Sequence, residues 1–201
     1  MNFFLITHPT NINNEGRVIN ELFNEGLDML HLRKPDHTIE ETEKLLNAID
    51  TKHHLKVVLH QHYSMGKKFG INRIHFSEKT RLTATEQELK EWKEKNFILS
   101  TSIHTMSDYE KLSDTFSYTF LGPVFESISK PGYKPPSEEI IKLKENKNRR
   151  IKIIAIGGIT ATTIEIVKQA NFDGAAMLGA IWNDTINAIE VLKKCQQSAN
   201  M

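Results

Sequence analysis

The segment Ile154-Ala155-Ile156-Gly157-Gly158-Ile159-Thr160 is followed by a small-residue run, Gly174-Ala175-Ala176-Met177-Leu178-Gly179-Ala180. Each places a glycine turn directly after a short apolar segment of strand character. Glycine at such a turn lets backbone N–H groups approach an anion that a side chain would hold away. Two consecutive turns of this kind late in a strand and helix series predict a phosphate cup built by Gly157, Gly158 and Gly179. The plainer alternative makes Gly157-Gly158 a tight connection and Gly179 a packing residue.

Histidine crowds the carboxyl ends of the strand-like segments: His8 after the first, His31 with Arg33 at the second, His60 and His62 at the third, His75 in the fourth, His104 after the fifth. In Ser102-Ile103-His104, the imidazole lies just past a strand end, where it can exchange protons near neutral pH, so His104 is the expected general acid/base. His60-Gln61-His62 has metal-like spacing and raises a zinc hydrolase as an alternative, although no acidic residue immediately after strands 3 to 5 completes a ligand set.

The Gly122 to Pro136 stretch is rich in Gly, Pro and Ser and longer than the usual strand-to-helix connection of about 2 to 6 residues. It is a candidate lid, with Ser127 and Ser129 offering hydroxyls and Lys130 a cation to a phosphorylated ligand. Arg33 is placed to meet an anion, whereas Lys34 alternates away from it along an extended strand and reads as a solvated charge.

Such residues need a scaffold that gathers strand ends. Eight short apolar segments alternate with amphipathic ones: 3–7, 29–33, 56–60, 73–76, 97–102, 118–121, 151–156 and 174–178 are the expected strands. The clearest helices are 39–49, 85–95 and 161–170, and a final one begins at Ile181 or Asn183 and runs to about Lys194. Thr38 with Glu41 forms a capping-box pattern, and Thr160 is a candidate N-cap. This order predicts the α/β class, as one (β/α)8 TIM barrel occupying 1–201.

The 201 residues, 39% of them hydrophobic, suffice for one core and are few for two. With 26 basic against 25 acidic residues, net charge supplies no reason to expect nucleic acid or an anionic membrane as partner. The lone Cys195 fits a reducing compartment, and no apolar run approaches the length of a membrane span. The start of the chain lacks a basic, signal-like segment. A soluble, cytoplasmic protein is expected. The outer helices of a barrel can carry an interface without any motif, so a homo-oligomer is compatible.

With these stretches in place, the chain resembles the thiamine phosphate synthase and TenI superfamily over nearly its whole length. The matching segments are His31-Leu32-Arg33, Ser100 to Thr105, Gly122 to Lys130, Ile154 to Ile159 and Phe172 to Ile181. The resemblance implies a (β/α)8 barrel enzyme of thiamine biosynthesis that binds a thiazole phosphate.

Two branches follow from it. The synthase joins hydroxymethylpyrimidine diphosphate to thiazole phosphate, with Mg2+ escorting pyrophosphate. Its pattern has Gln-x-Arg-x-Lys after strand 2, Asn-Asp after strand 3 and Asp after strand 4. Here those places hold His31-Leu32-Arg33-Lys34-Pro35, His60-Gln61 and Ser77-Glu78-Lys79-Thr80. Loss of both aspartates should weaken Mg2+ and pyrophosphate binding, although Arg33, Lys130 and Lys134 could replace some of the positive charge.

TenI-type thiazole tautomerases move a proton within a thiazole carboxylate phosphate and expel no pyrophosphate. The expected reading is that branch, without a cofactor or metal ligand set. His104 would be the acid/base; His31, Arg33, Ser102, Ser127, Ser129 and Lys130 would bind substrate; Gly157, Gly158 and Gly179 would bind phosphate. The synthase pattern has Ser at the position of Gly179. The alternatives are the synthase, an Mg2+ enzyme, and a non-catalytic binder that retains the phosphate cup.

Overall fold

The computed structural model describes residues 1–125, 137–145 and 149–200. Its strands are β1 (Asn2–Ile6), β2 (Met29–Leu32), β3 (Val57–Leu59), β4 (Arg73–Phe76), β5 (Ile98–Ile103), β6 (Phe116–Leu121), β7 (Lys152–Ile156) and β8 (Gly174–Met177). All pair in parallel and in chain order, and β8 closes onto β1. The expected (β/α)8 barrel is present.

Successive side chains on each strand point to opposite faces. Leu5, Leu32, Leu59, Ile74, Leu99, Ile153, Ala155 and Met177 point outward into the layer beneath the helices. Phe4, Ile6, Tyr118, Phe120, Ile154 and Ala176 point inward and form a separate interior cluster. Burial on both faces explains why these strands read as nearly continuous apolar runs. The interior is filled by side chains, so a small-molecule ligand must approach from the rim.

The helices are α1 (Glu15–Asn24), α2 (Ile39–Asn47), α3 (Met65–Phe69), α4 (Glu78–Thr83), α5 (Glu86–Glu94), α6 (Met106–Glu110), α7 (Ser137–Glu145), α8 (Ile164–Gln169), α9 (Gly179–Trp182) and α10 (Ala188–Asn200). The Thr38/Glu41 capping box starts α2 as predicted, and Thr85 with Glu88 starts α5 in the same way.

Two helix expectations are corrected. The N-cap of α8 is Thr163 and not Thr160; the Thr163 hydroxyl accepts from Thr160 N–H at 2.9 Å, which folds the intervening residues into a turn. The final helix is two pieces, α9 and α10, because α9 ends at Trp182. The Trp182 indole N–H donates to the Ile6 carbonyl at 2.7 Å and pins α9 across the end of β1. Among the described residues, no helix is long and apolar enough to cross a membrane.

Candidate active site

The two glycine turns come together at the carboxyl end of the barrel. They line an open cleft of about 490 Å³ with His8, Arg33, Thr160, Ala180 and Asn183. Gly157 has φ +95° and Gly158 φ +65°, both in the region that disfavours side chains. Thr163 holds this turn from behind by donating to the Gly158 carbonyl at 3.0 Å. The turn is also stitched to the residues after β6, since Val124 N–H donates to Ile156 O at 2.8 Å and Phe125 N–H to Gly157 O at 3.2 Å. Among the described residues, the N–H groups of Gly158, Gly179 and Ala180 make no hydrogen bond within the protein. Such uncommitted donors beside a cation form an anion-binding surface.

That cation is Arg33, an exposed residue on the cleft wall. Its backbone is fixed by the buried Thr7 hydroxyl, which accepts from Arg33 N–H at 2.8 Å and donates to Arg33 O at 2.9 Å. Lys34 behaves otherwise and corrects the expectation of a solvated charge. Its side chain is fully buried, with the ammonium 2.6 Å from Glu15 and donating to Thr10 O at 2.7 Å. The alternation away from Arg33 is real, but the opposite side faces the start of α1, where Glu15 supplies the counter-charge.

His31, expected at the rim, is completely buried inside the barrel. One ring nitrogen, Nε2, lies 2.7 Å from the Tyr118 hydroxyl, and the other, Nδ1, lies 2.8 Å from His60 Nε2. His75 bridges Ser100 and Ser102, with both contacts at 3.0 Å, so Ser102 is committed to an imidazole. Burial is the main force holding all three histidines neutral: His31 and His60 lie well below the usual imidazole range, and His75 falls to about 3. Arg33 adds repulsion at His60 and His75.

The His60/His62 spacing, raised as an alternative metal pair, does not bring the two imidazoles together. The chain leaves β3 after Leu59 and adopts φ 53° at His62, whose Nε2 sits 2.9 Å from the His37 carbonyl. That left-handed residue breaks strand alternation and turns the second imidazole away from the first.

His104 stands at the rim with its side chain 58% exposed. Its Nδ1 donates to Gly122 O at 2.6 Å, and its Nε2 is 3.7 Å from Glu78. The Nδ1 bond leaves Nε2 as the acceptor in the neutral ring. Gly122 precedes Pro123, which packs on Gly157; His104 itself lines a separate small pocket with Pro123, Val124 and Phe172 and not the glycine cleft. Ser127, Ser129 and Lys130, with most of the expected lid, lie outside the described residues.

Gln61 and Thr80, at the positions where the resemblance to the synthase branch implies aspartates, are already engaged. Gln61 donates its amide to the Lys34 carbonyl, and the Thr80 hydroxyl lies 2.8 Å from that of Ser77 at the start of α4. Glu78, the nearby carboxylate, faces Arg81 at 3.8 Å as well as His104. This donor set does not suit Mg2+, which favours carboxylate, phosphate and water oxygens in near-octahedral array.

The sequence profile of the family described as thiamine monophosphate synthase matches residues 3–181. The chain belongs to this family. A thiamine-phosphate synthase of Clostridium tetani is 26% identical over 186 residues, covering 90% of this chain and 85% of that protein. One from Dictyoglomus thermophilum is 25% identical over 195 residues, covering 92% and 86%. The crystal structure of a thiamine phosphate pyrophosphorylase from Bacteroides thetaiotaomicron superposes with a TM-score of 0.78 at 27% identity, covering 100% of this chain and 98% of the other. Family membership thus agrees with the barrel closure.

Asn183, Thr163 and Thr7 were not singled out in the sequence. A continuous final helix conceals Asn183, which caps the end of α9 on the cleft wall. Thr163 and Thr7 act through tertiary hydrogen bonds that no local pattern encodes.

Proposed function

We propose that this protein binds a thiazole phosphate and catalyses TenI-like tautomerisation of a thiazole carboxylate phosphate. The observation that carries this reading is the pairing of an open glycine cup with engaged, carboxylate-poor positions where pyrophosphate chemistry would need a metal. A tautomerisation transfers a proton and releases no leaving group, so it needs an acid/base and an anion anchor but no Mg2+.

In this reading the ligand phosphate sits on the N–H groups of Gly158, Gly179 and Ala180, with Gly157 shaping the turn. Arg33 pairs with an anionic group, and His104 Nε2 takes a proton from one carbon of the ligand and returns one at another. Glu78 lies 3.7 Å from this nitrogen. His31 and Ser102 act beneath the mouth as parts of the buried imidazole network. Ser127, Ser129 and Lys130 are assigned to substrate binding by their chemistry alone, two hydroxyls and a cation.

The synthase reading is favoured by the names of the relatives, and one experiment separates the two. The protein is incubated with the thiazole carboxylate phosphate, and separately with hydroxymethylpyrimidine diphosphate, thiazole phosphate and Mg2+, with products followed by mass spectrometry and NMR. Tautomer conversion without thiamine phosphate is expected. Robust Mg2+-dependent thiamine phosphate formation would overturn the proposal, and ligand binding without either conversion would leave a binder.

A further inference from the structure

Three imidazoles meet inside the barrel, apart from the glycine cup. Leu59 pairs with Ile74, so His60 and His75, one residue further along neighbouring strands, stand side by side facing inward. Their rings stack with centroids 4.2 Å apart. His31 approaches both edge-on, at 5.1 Å from His60 and 5.3 Å from His75. One ligand atom can be chosen from each ring so that all three lie within 4.8 Å of one another.

We propose that His31, His60 and His75 form a three-histidine site for a borderline divalent transition metal, of which zinc is the representative. With Zn–N bonds of 2.0 to 2.1 Å and tetrahedral angles, ring centroids around one ion stand about 5 Å apart. Two of the three separations match, whereas the His60/His75 pair must open by roughly 1 Å on the same geometry and rotate out of its 21° stack so that both lone pairs meet the ion.

The outer contacts select the ligand atoms. A metal-bound histidine normally engages its other nitrogen with a neighbouring polar group. His31 Nε2 contacts the Tyr118 hydroxyl, and His75 Nδ1 contacts Ser100, which leaves His31 Nδ1 and His75 Nε2 for the ion. His60 offers Nε2. Binding replaces the 2.8 Å contact between His31 and His60 and the contact of His75 with Ser102. Neutral rings are the ligating form, so no proton must be expelled from the site.

Three neutral ligands leave the ion its double charge, and Arg33 lies near enough to repel a bare cation. The fourth position therefore takes an anion, hydroxide or a ligand oxygen, on the side of the mouth where Arg33 can pair with it. The thiazole phosphate reading neither needs nor excludes this site.

The test uses the full chain without a histidine tag, stripped with a chelator and then given ZnCl2 or CoCl2. Elemental mass spectrometry should find about one zinc per chain, and Co2+ should give the intense visible bands of a tetrahedral site. His60→Gln, at the half-buried top of the cluster, removes a ligand outright and should weaken zinc affinity by at least the roughly 10- to 100-fold that loss of an outer partner costs. His75→Gln should do the same where it folds. His37→Gln and His62→Gln should retain zinc. Zinc far below one per chain, an octahedral Co2+ spectrum, or unchanged affinity in folded His60→Gln would overturn the proposal. Because the readout is metal content, failure here leaves the tautomerase assay unaffected.

Discussion

Gly157 packs directly on Pro123: a β-carbon on Gly157 would stand 2.5 Å from the Pro123 Cβ and 2.8 Å from its Cα. The contact joins the loop after β6 to the turn after β7, and the φ of +95° adds backbone strain to any side chain there. Gly157→Ala should destabilise by about 1–3 kcal/mol from the backbone alone and disorder the anion site. A thermal melt together with phosphate-ligand titration checks both effects.

Gly179 is the opposite case. Among the described residues, a β-carbon there meets only the Asn183 side chain, at 3.6 Å. Gly179→Ser should therefore fold normally, with a stability change within about 0.5 kcal/mol, and should bind the thiazole phosphate at least as tightly through the added hydroxyl. Calorimetric titration showing weaker binding would place the phosphate elsewhere.

His104→Gln should lower tautomerase turnover by about 10²- to 10⁴-fold while ligand affinity stays close to that of the parent. The decisive comparison is turnover against dissociation constant. Equal turnover in the two proteins would remove His104 from the proton transfer.

Lys34→Met should cost about 3–5 kcal/mol, because it strands the Glu15 carboxylate among buried groups. Burial already pushes that carboxyl up, against the pull of Lys34, and Glu15 Oε1 has no partner among the described residues. The double variant Lys34→Met/Glu15→Leu should recover much of the loss in denaturant titrations, showing that the penalty comes from the unpaired charge.

Acid should destabilise the metal-free protein from about pH 6.5 downward, the ordinary imidazole pKa of an unfolded chain. His31 and His75 are neutral when folded, with His75 held down to about 3. Below pH 6.5 the unfolded state therefore binds more protons, and stability falls with pH by about 1.4 kcal/mol per pH unit for each histidine. The contribution is complete above pH 6.5 and, for His75, is lost as pH drops toward 3. Urea melts across this range on His75→Gln should show a shallower slope.

The order of short apolar and amphipathic segments determined the barrel, since parallel strands buried on both faces leave a strong pattern and eight of them must close. The glycines at 157, 158 and 179 were legible for a related reason: turns after the last two strands leave little choice of place in that fold. The surroundings of the individual polar groups were decided only in three dimensions. Lys34 looked solvated because alternation gives a direction but not the identity of what stands there, and its partner Glu15 belongs to another element. His60 and His62 looked paired because they are close in sequence, whereas strand register brings His60 to His75 and His31. Strand pairing sets which inward side chains share a level of the barrel, and that lateral neighbourhood is absent from any one strand's sequence.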